Sequence, residues 1–437
     1  MEPTPTVEPD AEPTGPRPRA KPSRRRLWLF RLVTLLAVAV GQEVLFRAMF
    51  PRPEVVGFNR IHYQQMAQSH PDIGKAMERG LVYDRLLIES RPDGFSEVHN
   101  LNIYGFRGPD FRIGPEPGRR RILVIGDSVV EGQGVGDAET IPAAWSRILA
   151  DEGTPAEVIN LGVIAASFPH LWILVRDAVP LLKPTDVVVA LYPNDLPAPF
   201  VPALLTAPAA TFPRTPDDPL TPRAVDLVRR AVFEEPIHRR WFHRPIRFFS
   251  PVPDGTNPWS DGRPRPPSLR EDLYEDMKAG RLNPWLYSQA QDAPGQLGHD
   301  FASGGSPVLF LERMAGVCRA AGARMMVAYT PFCGVASRRC VDALAAAGMD
   351  RGTAEALAVD PRYRAQNRVL ESVCADLRLP LADATAALEA ADADAPQYWP
   401  YDTHPNAEGY ATIARRIHEV WKAELADAPA PSPGASP

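Results

Sequence analysis

The run RILVIGDS, residues 121–128, decides how this chain is read. After Arg121 it is apolar, with β-branched side chains at Ile122, Val124 and Ile125. A short run without polar alternation predicts a strand covered on both faces, as in a parallel sheet. The same rhythm repeats outward. Helical spacing of Ile141, Trp145, Ile148 and Leu149 predicts a helix over 140–152. EVINLG at 157–162 reads as a strand, Phe168–Leu182 as a helix and DVVVALY at 186–192 as a third strand. The rhythm resumes with a helix at 306–320, the strand ARMMVAYT at 323–330, a helix at 361–376, the short strand LPLAD at 379–383 and a last helix at 407–424. Strands alternating with helices of this length predict right-handed βαβ units, a parallel sheet and an α/β fold. There are no internal repeats.

Between 197 and 303 the rhythm breaks. Pro197, Pro199, Pro202, Pro208, Pro213, Pro216, Pro219 and Pro222 crowd there, and Trp241, Phe242, Phe248 and Trp259 add aromatics. We read an insertion, part helical around 223–234, lying over the sheet. The whole chain holds 49 prolines in 437 residues, so long stretches must be looped or extended. Hydrophobic residues at 45% and charged ones at 23% exclude wholesale disorder. A net charge of −5 argues against a nucleic-acid partner, which calls for a basic field. Four cysteines exclude a disulfide scaffold and have no zinc-site spacing. Cys318 and Cys374 read as buried helical thiols, and Cys333 could bridge Cys340 if the chain is exported.

The N-terminus is Pro-rich and ends in a basic cluster of Arg17, Arg19, Lys21, Arg24, Arg25 and Arg26. LWLFRLVTLLAVAVGQEVLF, residues 27–46, is the only long apolar segment. Its strict core, 32–41, is short of the roughly 20 residues a span prefers, but extension to Phe50 supplies the length. Arg31 can then snorkel, and Glu43 can pair with Arg47 four residues on. The positive-inside rule makes this a signal anchor, with the N-terminus cytoplasmic and everything from about 51 outside. A signal peptide cleaved near Ala37, Ala39 and Gly41 is the second reading, and a buried amphipathic helix the third. The expected organisation is therefore a basic segment 1–26, an anchor 27–50, a membrane-proximal segment 51–118, a catalytic domain 119–425 carrying the insertion 197–303, and a disordered tail 426–437.

The chemistry-bearing residues stand where the strands end. Gly126-Asp127-Ser128 closes the first strand, and a serine at such a junction is either a nucleophile or a helix N-cap. Gly132, Gly134 and Gly136 suggest a phosphate loop, but no Lys-Ser/Thr follows and the dinucleotide spacing is wrong. Gly162 ends the second strand, as a turn residue or as an unshielded N–H facing a ligand. Asn194-Asp195 follows the third strand, where asparagine often turns the chain. Asp402-Thr403-His404 precedes the last helix. A carboxylate beside an imidazole can hold the ring that activates a serine, whereas the same residues can merely start a helix.

In this order the four blocks resemble the SGNH (GDSL-type) hydrolase family, over roughly 100–196 and 305–425. NIYGFRGPD, residues 102–110, is also similar to membrane-anchored members associated with polysaccharide modification. Two positions depart from the family pattern: Tyr192 and Pro193 precede Asn194 where glycine is usual, and Asp402 precedes His404 by two residues rather than three. The resemblance implies a three-layer α/β/α domain with about five parallel strands, of flavodoxin-like order. It implies Ser128 as nucleophile, His404 as base and Asp402 as its orienting acid, with an oxyanion hole from the Ser128 N–H, the Gly162 N–H and the Asn194 amide. It calls for no metal and no organic cofactor. The expected activity is extracytoplasmic esterase action on acyl, mainly O-acetyl, esters of carbohydrate. An O-acyltransferase with the insertion as lid, and an inactive scaffold domain, are the alternatives.

Overall fold

The computed structural model of the chain describes residues 23–49, 53–67, 85–90, 94–196, 206–215, 246–247, 257–299 and 306–426. Its strands in chain order are β1 (Arg85–Ser90), β2 (Phe95–Asn100), β3 (Arg120–Gly126), β4 (Ala156–Gly162), β5 (Asp186–Leu191), β6 (Ile246–Arg247), β7 (Arg324–Tyr329) and β8 (Leu381–Asp383). Five of them form one sheet in the order β4-β3-β5-β7-β8, and every pairing in it is parallel. This is the flavodoxin-like order.

Alternation along β3 shows why its sequence is apolar throughout. Ile122 and Val124 enter one core with Trp145, Ile413 and Trp421. Leu123 and Ile125 enter the other with Leu171, Val175, Phe310 and Leu370. Helices Ile141–Asp151 and Ala407–Glu424 supply the first core, and helices Phe168–Leu182, Ser306–Ala320 and Ala365–Leu377 the second. The architecture is therefore three layers, α/β/α. From β3 the chain reaches β4 on one side, and β5 flanks β3 on the other. The carboxyl end of β3 is thus a topological switch point, the crevice where open α/β sheets take ligands.

The described residues of the segment 51–118, expected as membrane-proximal and apart from the catalytic domain, join the same compact unit as the sheet. Val55, Phe58, Tyr63, Tyr104, Phe106, Phe111 and Ile113 are buried in the core beneath helix Phe168–Leu182. The antiparallel hairpin β1–β2, extended by β6, makes a second, three-stranded sheet. The insertion also goes deeper than its prolines suggest. Leu269, Leu273, Met277, Leu282, Ala290 and Leu297, from helices Glu271–Lys278 and Leu286–Leu297 and their surroundings, are fully buried in the first core. The helix expected around 223–234 lies outside the described residues, as do 1–22 and the tail from 427.

The apolar N-terminal segment forms helix Arg24–Met49, which belongs to the other of two compact units. It is long and apolar enough to cross a membrane. Trp28, Leu29, Phe30, Leu32, Leu35 and Leu36 are all exposed, so it is not the buried amphipathic helix of the third reading. Arg47 pairs with Glu43 at 2.7 Å, one helical turn apart. All four cysteines are free and buried; burial pushes the thiols of Cys318 and Cys374 up to about 12.

Candidate active site

Strand β3 ends at Gly126, where a Cβ would lie 2.4 Å from the Val130 side chain and 2.8 Å from the Ala190 carbonyl. The chain turns at once into the short helix Ser128–Glu131. Its N-cap is Asp127, whose Oδ1 accepts the Val129 N–H at 2.9 Å, so Ser128 is not the capping serine of the alternative reading. Ser128 Oγ is left facing His404, 2.7 Å from Nε2. On the far side of the ring, His404 Nδ1 meets Asp402 Oδ1 in a short contact, and the same oxygen accepts the His404 backbone N–H at 3.0 Å. The two-residue spacing therefore suffices, because one carboxylate oxygen closes an Asx turn and holds the ring together. Helix Ala407–Glu424 is capped elsewhere, by Asn406 Oδ1 on the Gly409 N–H. Ser128, His404 and Asp402 are 7%, 3% and 1% exposed, so His404 is no surface residue.

Burial works against the His404 cation, but the charge and hydrogen bond of Asp402, with a further contribution from Asp127, outweigh it and raise its pKa. Burial likewise pushes up the carboxyls of Asp127 and Asp195, Asp195 the further because Asp127 repels it.

The turn after β5 explains Tyr192 and Pro193. The Asp195 N–H returns to the Tyr192 carbonyl at 2.9 Å, closing a β-turn with proline at its favoured second position. Asp195 Oδ2 takes the Tyr192 N–H at 2.7 Å. Tyr192 then lays its ring parallel to that of His404, centroids 6.4 Å apart, and donates its hydroxyl to the Thr403 carbonyl. Asn194, at the turn's third position, is exposed.

Gly162 sits less simply. Its N–H donates to Asn160 Oδ1 at 2.8 Å, while Asn160 Nδ2 donates to the Val130 carbonyl at 2.9 Å. A Cβ on Gly162 would lie 2.2 Å from the Glu131 nitrogen. Glycine is thus required here for packing against the Ser128 helix, and its N–H is already engaged. Three residues on, Ala165 is exposed with φ 61°, and no bond from its N–H is found among the described residues. A non-glycine residue in this region is strained, and such strain collects at functional sites. No glycine marks this position, so no residue type points to it.

Sequence reasoning also missed Gln133, whose Nε2 lies 3.4 Å from Asp402 Oδ2 and 3.2 Å from His404 Nδ1. On the opposite flank, Gln289 of the insertion accepts from Thr403 at 3.2 Å. Gln366 donates to the carbonyls of Pro193 and Gln296. The insertion is thereby tied to both the histidine loop and the Asn194 turn. Among the described residues no cluster of side chains suited to a metal ion occurs.

Taken as chemistry, a serine hydroxyl on an imidazole and the imidazole on a carboxylate are the parts that acyl transfer needs. Comparison with known proteins gives the same class. The description "GDSL-like Lipase/Acylhydrolase family" matches residues 124–412, well over half the chain. No curated protein matches. Among solved structures, TesA is 13% identical, covering 70% of this chain and all of its own, with a TM-score of 0.35. A lipase/acylhydrolase from Enterococcus faecalis is 13% identical, covering 72% and 100%, TM-score 0.35. An acetylxylan esterase from Geobacillus stearothermophilus, in a catalytic-mutant form, is 12% identical, covering 69% and 93%, TM-score 0.33.

Proposed function

Because the chain belongs to the GDSL-like lipase/acylhydrolase family, we propose that it is an extracytoplasmic serine esterase that removes acyl groups, chiefly O-acetyl, from carbohydrate. The observation that carries the reading is the 2.7 Å contact between Ser128 Oγ and His404 Nε2, with Asp402 behind the ring. His404 takes the Ser128 proton as Oγ attacks the ester carbonyl, then returns it to the leaving sugar alcohol. The acyl group now sits on Ser128. Water attacks it with His404 again as base, and the carboxylic acid departs. The developing oxyanion is met by the Ser128 N–H, the Asn194 amide and the Ala165 N–H, with Gly162 confined to packing. Asp402 orients the ring and favours its cationic form.

The carbohydrate class rests on the resemblance of residues 102–110 to membrane-anchored, polysaccharide-modifying members. The location rests on helix Arg24–Met49 with its basic leading end, acting as a membrane anchor.

A fluorophosphonate tests the core of this. Ser128 should be modified, as peptide mass spectrometry would show, and His404→Ala should abolish the labelling. Labelling on another serine, or labelling retained without His404, would remove the assignment. A panel of acetylated glycans then tests the substrate class. Transfer of the acyl group to a sugar hydroxyl with little release to water would make the protein an O-acyltransferase instead.

A further inference from the structure

One conspicuous element of the sequence, NIYGFRGPD, has no part in the chemistry above, yet the structure carries it to the back of the active site. Asn102 Oδ1 accepts the N–H groups of Tyr104 and Phe106, folding a tight turn with Gly105 at φ 74°. That turn delivers Arg107, which is buried, to the loop behind Ser128. Its guanidinium donates to three carbonyls there: Glu131 at 3.1 Å, Gly132 at 2.6 Å and Val135 at 2.6 Å. Its Nε pairs with Asp137 at 2.7 Å. The gripped loop contains Gln133 between two left-handed glycines, Gly132 (φ 87°) and Gly134 (φ 93°). Nothing in such a backbone is stiff by itself. Tyr410 adds a hydroxyl bond to the Gln133 carbonyl at 2.9 Å.

The Ser128 helix is held from the same side. Glu131, at its end, is wholly buried between Arg60, in a short ion pair, and His99, whose Nδ1 lies 2.9 Å from Oε1. Three cationic or donor groups thus converge from residues 60–107 on the four-residue helix and the loop that follows it.

We propose that Arg107 and Gln133 form a positioning relay: Arg107 fixes the 131–135 loop so that the Gln133 amide donates to Asp402 Oδ2, which holds the carboxylate square to His404. Neither residue touches substrate. The relay rests on the serine-esterase reading and adds a specific demand, that the N-terminal segment sets the basicity of His404. The groups facing that ring are Asp402, Asp127, Ser128, Gln133 and Tyr192, with Tyr410 and Cys333 bordering Asp402.

The rate at which a fluorophosphonate modifies Ser128, followed against pH in the full-length protein, tests the relay. Gln133→Glu keeps the shape and turns a further carboxylate toward the imidazolium, so the acid limb should move up by about one pH unit. Gln133→Met, which keeps the length without a donor or a charge, should lower the plateau rate about tenfold and serves if the glutamate variant does not fold. Arg107→Lys keeps the charge but loses the planar fork, and should lower the rate ~10–100-fold with a displaced acid limb. Folded Gln133 and Arg107 variants with the wild-type profile, their melting temperatures alone reduced, would overturn the relay and leave the esterase reading intact. A wild-type protein whose Ser128 does not label overturns that reading, and the relay with it.

Discussion

At His404, burial disfavours the cation while Asp402 and Asp127 favour it, and the carboxylates win. A base must be neutral to accept the Ser128 proton, so activity should fall on acidification with a limb above the ordinary histidine value of about 6.5. Asp402→Asn should move that limb down and lower turnover; an unmoved limb would mean that the carboxylate does not hold the ring. The same shift has a stability signature. A raised pKa contributes stability that is present below about pH 6.5 and is lost as pH rises through the folded value. Denaturant unfolding should therefore show His404→Gln costing more at pH 5.5 than at pH 9. Asn194 belongs to the same scale. Asn194→Ala should lower turnover by ~10²–10³, the usual loss for one oxyanion donor, with folding unchanged because the side chain is exposed. Ser128, Asp402 and His404 were legible because their identities carry the chemistry wherever the loops place them. Ala165 and Gln133 were not. An alanine does not announce a left-handed backbone, and a glutamine in a Gly-rich loop reads as solvated until the fold closes over it.

Elements behave differently from residues. The apolar strands and most of their helices were readable to within two residues, because burial on both faces leaves almost no polar alternation to misread. The helix read at 361–376 is the exception, its first turn being the 3-10 segment Pro361–Arg364 ahead of Ala365–Leu377. Helix Phe168–Leu182 and helix Ala407–Glu424 have the bounds that their spacing predicts. The insertion was not readable. Helices Glu271–Lys278 and Leu286–Leu297 are brief, separated by Pro284 and interrupted by Pro294, so no window of sequence shows how much of them is buried. The junction of β4 with the Ser128 helix offers the sharpest test at this scale. Gly162→Ala would drive a methyl into the Glu131 nitrogen, and both flanking backbones are fixed by Asn160. Overpacking of this kind costs about 1–3 kcal/mol, and here it should also displace Ser128. A lowered melting temperature together with slower fluorophosphonate labelling is expected. A variant of normal stability and normal labelling would show that the helix can yield without consequence. His99 makes the acid side of the picture. Burial and the nearby arginines lower its pKa to about 4, so unfolding should take up a proton between pH 6.5 and 4, and stability should decline across that window. His99→Gln should flatten the decline in pH-dependent melting.

For the whole molecule the first question is sidedness. With Arg24, Arg25 and Arg26 leading helix Arg24–Met49, the N-terminus should stay in the cytoplasm and the sheet-bearing unit should lie outside. Protease added to spheroplasts should digest that unit; full protection until the membrane is permeabilised would contradict export. A second consequence follows from Arg60, His99 and Arg107 reaching the loop behind Ser128. Were helix Arg24–Met49 a membrane anchor, shedding of an active enzyme would require a cut ahead of Pro53. A cut between Ile113 and Arg120, where the sequence places the start of the catalytic domain, would strip the arginines from Glu131 and strand a carboxylate in the protein interior, three residues from the nucleophile. Removing one partner of such a buried pair costs ~3–5 kcal/mol. With that helix as anchor, proteolytic release and inactivation would therefore be cleavages at opposite ends of the segment from Pro53 to Arg120, and where a protease lands would decide whether the enzyme is set free or destroyed.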